Sequence, residues 1–164
     1  MSSSASDPGS VHRREGLLID SNLLLLLFVG QYDPTRIEKF KRTDQFTIGD
    51  FELLADYIEQ FKEVVTTPSI LTEVSNLLGQ LPENLRYYCW QHFAHGLKNL
   101  HELYTPSQEL GDEKAFPKFG LTDTAILQAA NGKYVVLTDD FRLTQYLIGQ
   151  NIDVINFNHL RASD

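Results

Sequence analysis

Five carboxylates fall at places where an apolar pattern ordinarily excludes them. Asp20 closes the run Leu17–Asp20 (LLID), and Asp139 and Asp140 directly follow Tyr134–Thr138 (YVVLT). In open parallel sheets, ligands bind in the crevice beyond the carboxyl ends of the strands, so these acids stand where chemistry is usually placed. Glu73 lies three residues after Ile70 and four before Leu77, and Asp123 three before Ile126, four before Leu127 and seven before Ala130. At helical spacing both point toward the apolar side of their helices. An ionised carboxylate in such a place is costly unless it is paired or bound to a metal, and several converging acids repel one another and raise their pKa values. No matching set of Arg or Lys accompanies them. One or two divalent cations with hard oxygen ligands, Mg²⁺ or Mn²⁺, are the natural compensation. Such a site polarises a phosphodiester and activates water for attack on it.

Three of the acids also have a plainer role open to them. Asp123 in a first helical turn complements the helix dipole, and Asp139 or Asp140 can cap the helix that follows the strand. Glu73 stands beyond the first turn of its helix, so neither role accounts for it. Taken together, the five favour a metal site.

The elements that must position these residues are readable from the hydrophobic pattern. A buried strand at 17–20 runs into a helix at Leu23–Val29, whose seven apolar residues are too few to span a bilayer. Arg36–Arg42 reads as an exposed connection. Ile48, Phe51, Leu54, Ala55, Ile58 and Phe61 mark an amphipathic helix opening near Gly49 or Asp50. Val64 and Val65 make a short strand, and Thr67-Pro68 supplies a cap and first position for the helix bearing Ile70, Val74, Leu77, Leu78 and Leu81. Pro82 to Leu103 reads as one or two helices and Thr105–Gly120 as a loop. Thr122 then caps a helix that Asn131-Gly132 ends, followed by the strand YVVLT, a helix at Asp140–Gly149 and a last strand at Asp153–Asn156. Short apolar strands alternating with helices predict an α/β domain, its central parallel sheet covered on both faces.

With 164 residues, 42% of them hydrophobic, the chain can sustain one core without disulfides, and its single cysteine, Cys89, excludes a disulfide framework and fits a cytoplasmic location. The expected division is a disordered tail at 1–15, polar and Ser-rich and not a secretory signal, one domain at 16–160 and a C-terminal tail at 161–164. A net charge of −8 argues at first against a nucleic-acid partner. The acidity is uneven, however. Arg36, Lys39, Lys41 and Arg42, with Arg13 and Arg14 upstream, form a basic group suited to phosphate, and Arg142 follows the last acids within two residues.

The segments LLIDSNLLL, TPSILTEVSNLL, GLTDTAIL and VVLTDDFRL resemble, in order and context, those of the PIN-domain nucleases, over residues 17 to 156. The resemblance implies a three-layer α/β fold with a short central parallel sheet flanked by helices. It implies metal-dependent endonucleolytic cleavage of single-stranded RNA, with Asp20, Glu73, Asp123 and Asp140 as the catalytic, cation-holding acids. Asp139, adjacent to the motif position, is a further candidate ligand. Asn22 and Thr138 match positions whose side chains orient the acids, and Arg142, Arg36 and Lys39 are the candidate RNA contacts. Many bacterial members are toxins of toxin–antitoxin pairs, which adds an antitoxin protein and a homodimer to the expected partners and no membrane. The segment from Pro82 to Gly120 is larger than the compact toxins carry. A PIN-like binding module without catalysis is the alternative; retention of mutually repelling acids weighs against it.

Cys89, His92 and His95 are spaced by three on a helix, but no fourth ligand accompanies them, and packing is the simpler reading. Tyr87, Tyr88, Trp90 and Phe93 are expected to be mostly core or a dimer contact. A phosphoacceptor signalling domain, which also gathers acids around Mg²⁺, is disfavoured because Phe157, Asn158 and His159, and no lysine, follow the last strand.

Overall fold

The computed structural model describes residues 15–163. Strand β1 (Gly16–Ile19) is buried along its whole length, and Asp20 caps the helix that follows, α1 (Ser21–Tyr32). All residues from Leu23 to Gly30 are buried, as an apolar run on every side of a helix requires. A short 3₁₀ turn at Pro34–Arg36 leads to α2 (Ile48–Ile58), opened by a reciprocal capping box between Thr47 and Asp50. Gly30 lets α1 and α2 meet closely: a Cβ there would overlap the Phe51 ring.

Strand β2 (Glu63–Thr66) precedes α3 (Pro68–Leu78), whose cap is Thr67 with Pro68 in the first turn, as its sequence predicts. Helix α4 (Glu83–Gly96) and a 3₁₀ turn at Leu97–Asn99 lead to β3 (Leu100–Glu102), in a stretch expected to be wholly helical. The stretch expected as loop contains α5 (Ser107–Gly111) and the start of α6 (Phe116–Ala130). The break inside α6 is at Gly120, whose φ of 79° is in the left-handed region that glycine adopts without cost. Strand β4 (Val135–Thr138), α7 (Phe141–Gly149), β5 (Val154–Asn156) and α8 (Phe157–Ala162) complete the domain.

The strands form a five-stranded, all-parallel sheet in the order β3-β2-β1-β4-β5, within a three-layer α/β fold. The strand order reverses between β1 and β4, the topological switch point where such sheets open a crevice. The register pairs Ile19 with Leu137, and the Asp20 amide donates to the Leu137 carbonyl (3.0 Å), so the acids after both strands leave the sheet side by side. Helix α3 packs on α1 and on α6, which brings two further acid-bearing helices to the same edge. No described helix is long and apolar enough to cross a membrane.

Candidate functional site

Asp20 is held from both sides. Its Oδ1 accepts from the Ser21 amide (2.7 Å), and its Oδ2 accepts from the Thr138 hydroxyl (2.7 Å) across the β1–β4 switch point. The same Thr138 oxygen accepts from the Asp140 amide (3.1 Å), so one fully buried hydroxyl fixes two acid-bearing turns. Burial pushes the Asp20 carboxyl up to about 6, against the two hydrogen bonds that lower it, and the charges of Asp139 and Glu73 add to the rise.

Asp123 on α6 is pushed further, up to about 7, by burial and then by the charges of Asp20, Asp140 and Glu73; Arg142 opposes the shift. Asp139 is raised chiefly by burial. Its own backbone amide, a hydrogen bond from Asn22 and the charge of Arg161 counter that rise. These mutual influences place acids from four separated segments in one electrostatic environment.

Glu73 departs from the sequence expectation. It is exposed, because the buried face of α3 is Ile70, Val74 and Leu78 and Glu73 stands on the flank of that stripe. Its Oε2 accepts from the Ser21 hydroxyl (2.5 Å) and its Oε1 from the Thr122 hydroxyl (3.0 Å). Thr122, expected as a helix cap, thus bridges α6 to α3. Asp140 does cap α7, with its Oδ1 accepting from the Leu143 amide (3.0 Å), and it still faces Asp123 electrostatically.

The carboxylate oxygens of Asp20, Glu73, Asp123, Asp139 and Asp140 have the donor chemistry that Mg²⁺ or Mn²⁺ prefers, and the raised carboxyls of Asp20 and Asp123 mark a missing compensating charge. Among the described residues, no three Asp, Glu, His or Cys side chains converge closely enough to hold a metal ion.

Two cations border the acids. Arg142 on α7 lies over the Phe119 ring, 4.9 Å from its centroid, and donates to the Lys118 carbonyl (3.3 Å). Arg161 on α8 pairs with Asp50 (2.8 Å) and lies over Phe46, 5.2 Å from the ring centroid. Arg36 and Lys39 are not brought to this edge. They follow the far end of α1, whose 12 residues span about 18 Å, and there they join Thr35 in holding the Asp33 carboxyl low. Arg13 and Arg14 lie outside the described residues.

Sequence reasoning missed Ser21, Thr122, Lys118 and Arg161. The first two adjoin Asp20 and Asp123 in the chain, a signal that was available; Arg161 comes near Asp139, and Lys118 beside Arg142, only through tertiary packing. The α4 aromatics, expected to be mostly core or a dimer contact, divide between buried and exposed positions. Phe93 is buried, but Tyr87 (63% exposed), Tyr88 (58%) and Trp90 (41%) are on the open face of the helix. Cys89 is buried, which pushes its thiol up to about 11, and His92 packs against Phe28 and Tyr32. No protein-family model and no curated protein matches this chain.

Proposed function

We propose that this protein is a divalent-metal-dependent endoribonuclease that cleaves single-stranded RNA by attack of water on the phosphodiester. The observation that carries the reading is the raised carboxyls of Asp20 (about 6), Asp123 (about 7) and Asp139, acids from three segments lifted first by burial and then by neighbouring acids at the switch point of a parallel sheet. Acids so perturbed, at the carboxyl edge of such a sheet, mark functional sites. The order of the acid-bearing segments and their resemblance to PIN-domain nucleases add the reaction type.

Asp20 and Asp123 are the principal cation-holding acids, with Glu73, Asp140 and Asp139 completing the set. A bound Mg²⁺ or Mn²⁺ supplies Lewis acidity toward the phosphate and lowers the pKa of water. Thr138 and the Ser21 amide aim the Asp20 carboxylate; Asn22 does the same for Asp139. Burial and the neighbouring acids raise the Asp123 carboxyl to about 7, and a bound divalent cation would favour its ionised form. Arg142 contacts substrate phosphate at the border of the acids. A role as the toxin of a pair, with an antitoxin protein and a second copy of the chain as partners, rests on the resemblance alone.

A second reading, a PIN-like binding module without catalysis, is favoured by one observation: both Glu73 oxygens and one Asp140 oxygen are committed to internal donors. Incubation with single-stranded RNA under Mn²⁺, Mg²⁺ or EDTA separates the two. The nuclease reading predicts metal-dependent scission that Asp20→Asn and Asp123→Asn abolish without unfolding the protein. RNA binding without scission under any metal supports the second reading.

A further inference from the structure

The border of the acid site carries a feature that metal chemistry does not use. The rings of Phe119 and Tyr146 pack together with centroids 4.7 Å apart. Lys118 Nζ stands 5.3 Å from the first centroid and 5.8 Å from the second, and the Arg142 guanidinium covers Phe119 from 4.9 Å. Neither cation makes an ion pair among the described residues. Two cations are thus held over a shared aromatic platform without a close ion pair, Arg142 feeling the Asp123 charge only at longer range, in a chain of net charge −8. Stacking pre-organises a guanidinium, so less entropy is lost when it grips an oxyanion.

Beside them opens a groove of about 450 Å³, lined by Lys118, Arg142, Phe141, Gln145, Tyr146 and Gly149. Phe141 is 66% exposed. It is the first residue of α7 and directly follows the Asp140 cap, so the groove begins one residue from the acid-bearing turn. A large ring left in water next to unpaired cations has the makings of a stacking platform for a base, with the cations placed for the adjoining phosphate.

We propose that this groove is the track for single-stranded RNA leaving the acid site, with Lys118 and Arg142 holding a backbone phosphate and Phe141 stacking a base. The proposal rests on the nuclease reading above and deepens it by naming where the substrate strand runs. A duplex is excluded as the occupant by the chemistry itself, because a paired base offers no free face to Phe141.

The test is binding without catalysis. Fluorescence anisotropy is measured in EDTA with a labelled single-stranded RNA 12-mer and with the same RNA as a duplex, from 50 to 200 mM salt. Phe141→Ala is expected to weaken single-strand binding about 5- to 100-fold, Phe141→Trp to keep it, and duplex binding not to respond. Lys118→Gln and Arg142→Gln are each expected to flatten the plot of log K against log salt by about 0.7. Phe141 and Lys118 are exposed, and thermal melting of each variant verifies the fold. Unchanged single-strand affinity in Phe141→Ala, or an unchanged salt slope in Lys118→Gln, overturns the groove. A parallel Mn²⁺ cleavage assay separates the two ideas. Scission by a Phe141→Ala variant of unaltered affinity overturns the track alone, whereas altered affinity with no scission by the unmodified protein supports the track and overturns the nuclease.

Discussion

Asp123→Asn should make the metal-free protein more stable above neutral pH, and the size of the effect follows from the site. The Asp123 carboxyl is raised from an ordinary 3.8 to about 7 and that of Asp20 to about 6. An acid whose pKa is higher folded than unfolded keeps its proton in the folded state through the window between the two values. Its contribution to stability is therefore full below pH 3.8 and is lost as pH rises through 6 to 7. One pKa unit corresponds to about 1.4 kcal/mol, so the displacement of Asp123 represents about 4 kcal/mol at full weight. Asp123 is only half-buried, and solvent screening brings that to about 2 kcal/mol. Part of it is repulsion shared with Asp20, Asp140 and Glu73, so replacing Asp123 also relieves its neighbours. The neutral amide in Asp123→Asn removes the burden at high pH and changes little at low pH, where the native carboxyl is already protonated. For a domain of this size about 2 kcal/mol is about 4–8 °C in Tm. Thermal unfolding in EDTA, followed by circular dichroism from pH 4 to pH 8.5, should show the two proteins nearly coincident at pH 4 and the variant ahead by up to that margin at pH 8. Adding Mg²⁺ at pH 8 should raise the unmodified protein and not the variant. A Tm difference that does not change with pH would falsify the electrostatic account of the site, whatever the enzyme activity.

Two other outcomes follow from the geometry. Thr138→Val removes a buried donor that lowers the Asp20 carboxyl. Asp20 should then titrate about one unit higher in a carbon-13 NMR titration, and any cleavage activity should lose its acid limb at correspondingly higher pH; an unchanged Asp20 titration removes Thr138 from its positioning role. Gly30→Ala drives a Cβ into the Phe51 ring where α1 crosses α2, and should cost about 1–3 kcal/mol in urea unfolding, with no effect on the Asp20 titration.

The parts of this fold that were legible are those in which burial dictates composition. β1, α1 and β4 are buried along most of their length, so LLI, LLLLLFV and VVLT read correctly as core elements, and the acids beyond β1 and β4 read as edge residues. β3 was not legible. It is a three-residue edge strand, Leu100–Glu102, with only Leu100 half-buried, and its pairing with β2 gives no local periodicity. The helical turns between Thr105 and Gly120 were hidden by prolines and glycines that ordinarily mark loops; here Pro117 occupies a helix start and Gly120 a break. Glu73 shows the resolution of spacing arguments. A helical period puts it near the apolar stripe, but whether a side chain lies in the stripe or on its flank depends on which neighbours cover it. The assembly of Lys118, Phe119, Arg142 and Tyr146 comes from α6 and α7 together and has no signature in either segment.

The origin of the oxygen in the product tests the central claim most directly. Single-stranded RNA is incubated with the protein and Mn²⁺ in ¹⁸O-water, and the product ends are read by mass spectrometry. Water attack on phosphorus at the Asp20–Asp123 site predicts fragments with one terminal phosphate carrying a single ¹⁸O and one free hydroxyl end, all absent with EDTA and with Asp20→Asn. Cyclic 2′,3′-phosphate ends, or scission that survives Asp20→Asn, would contradict it.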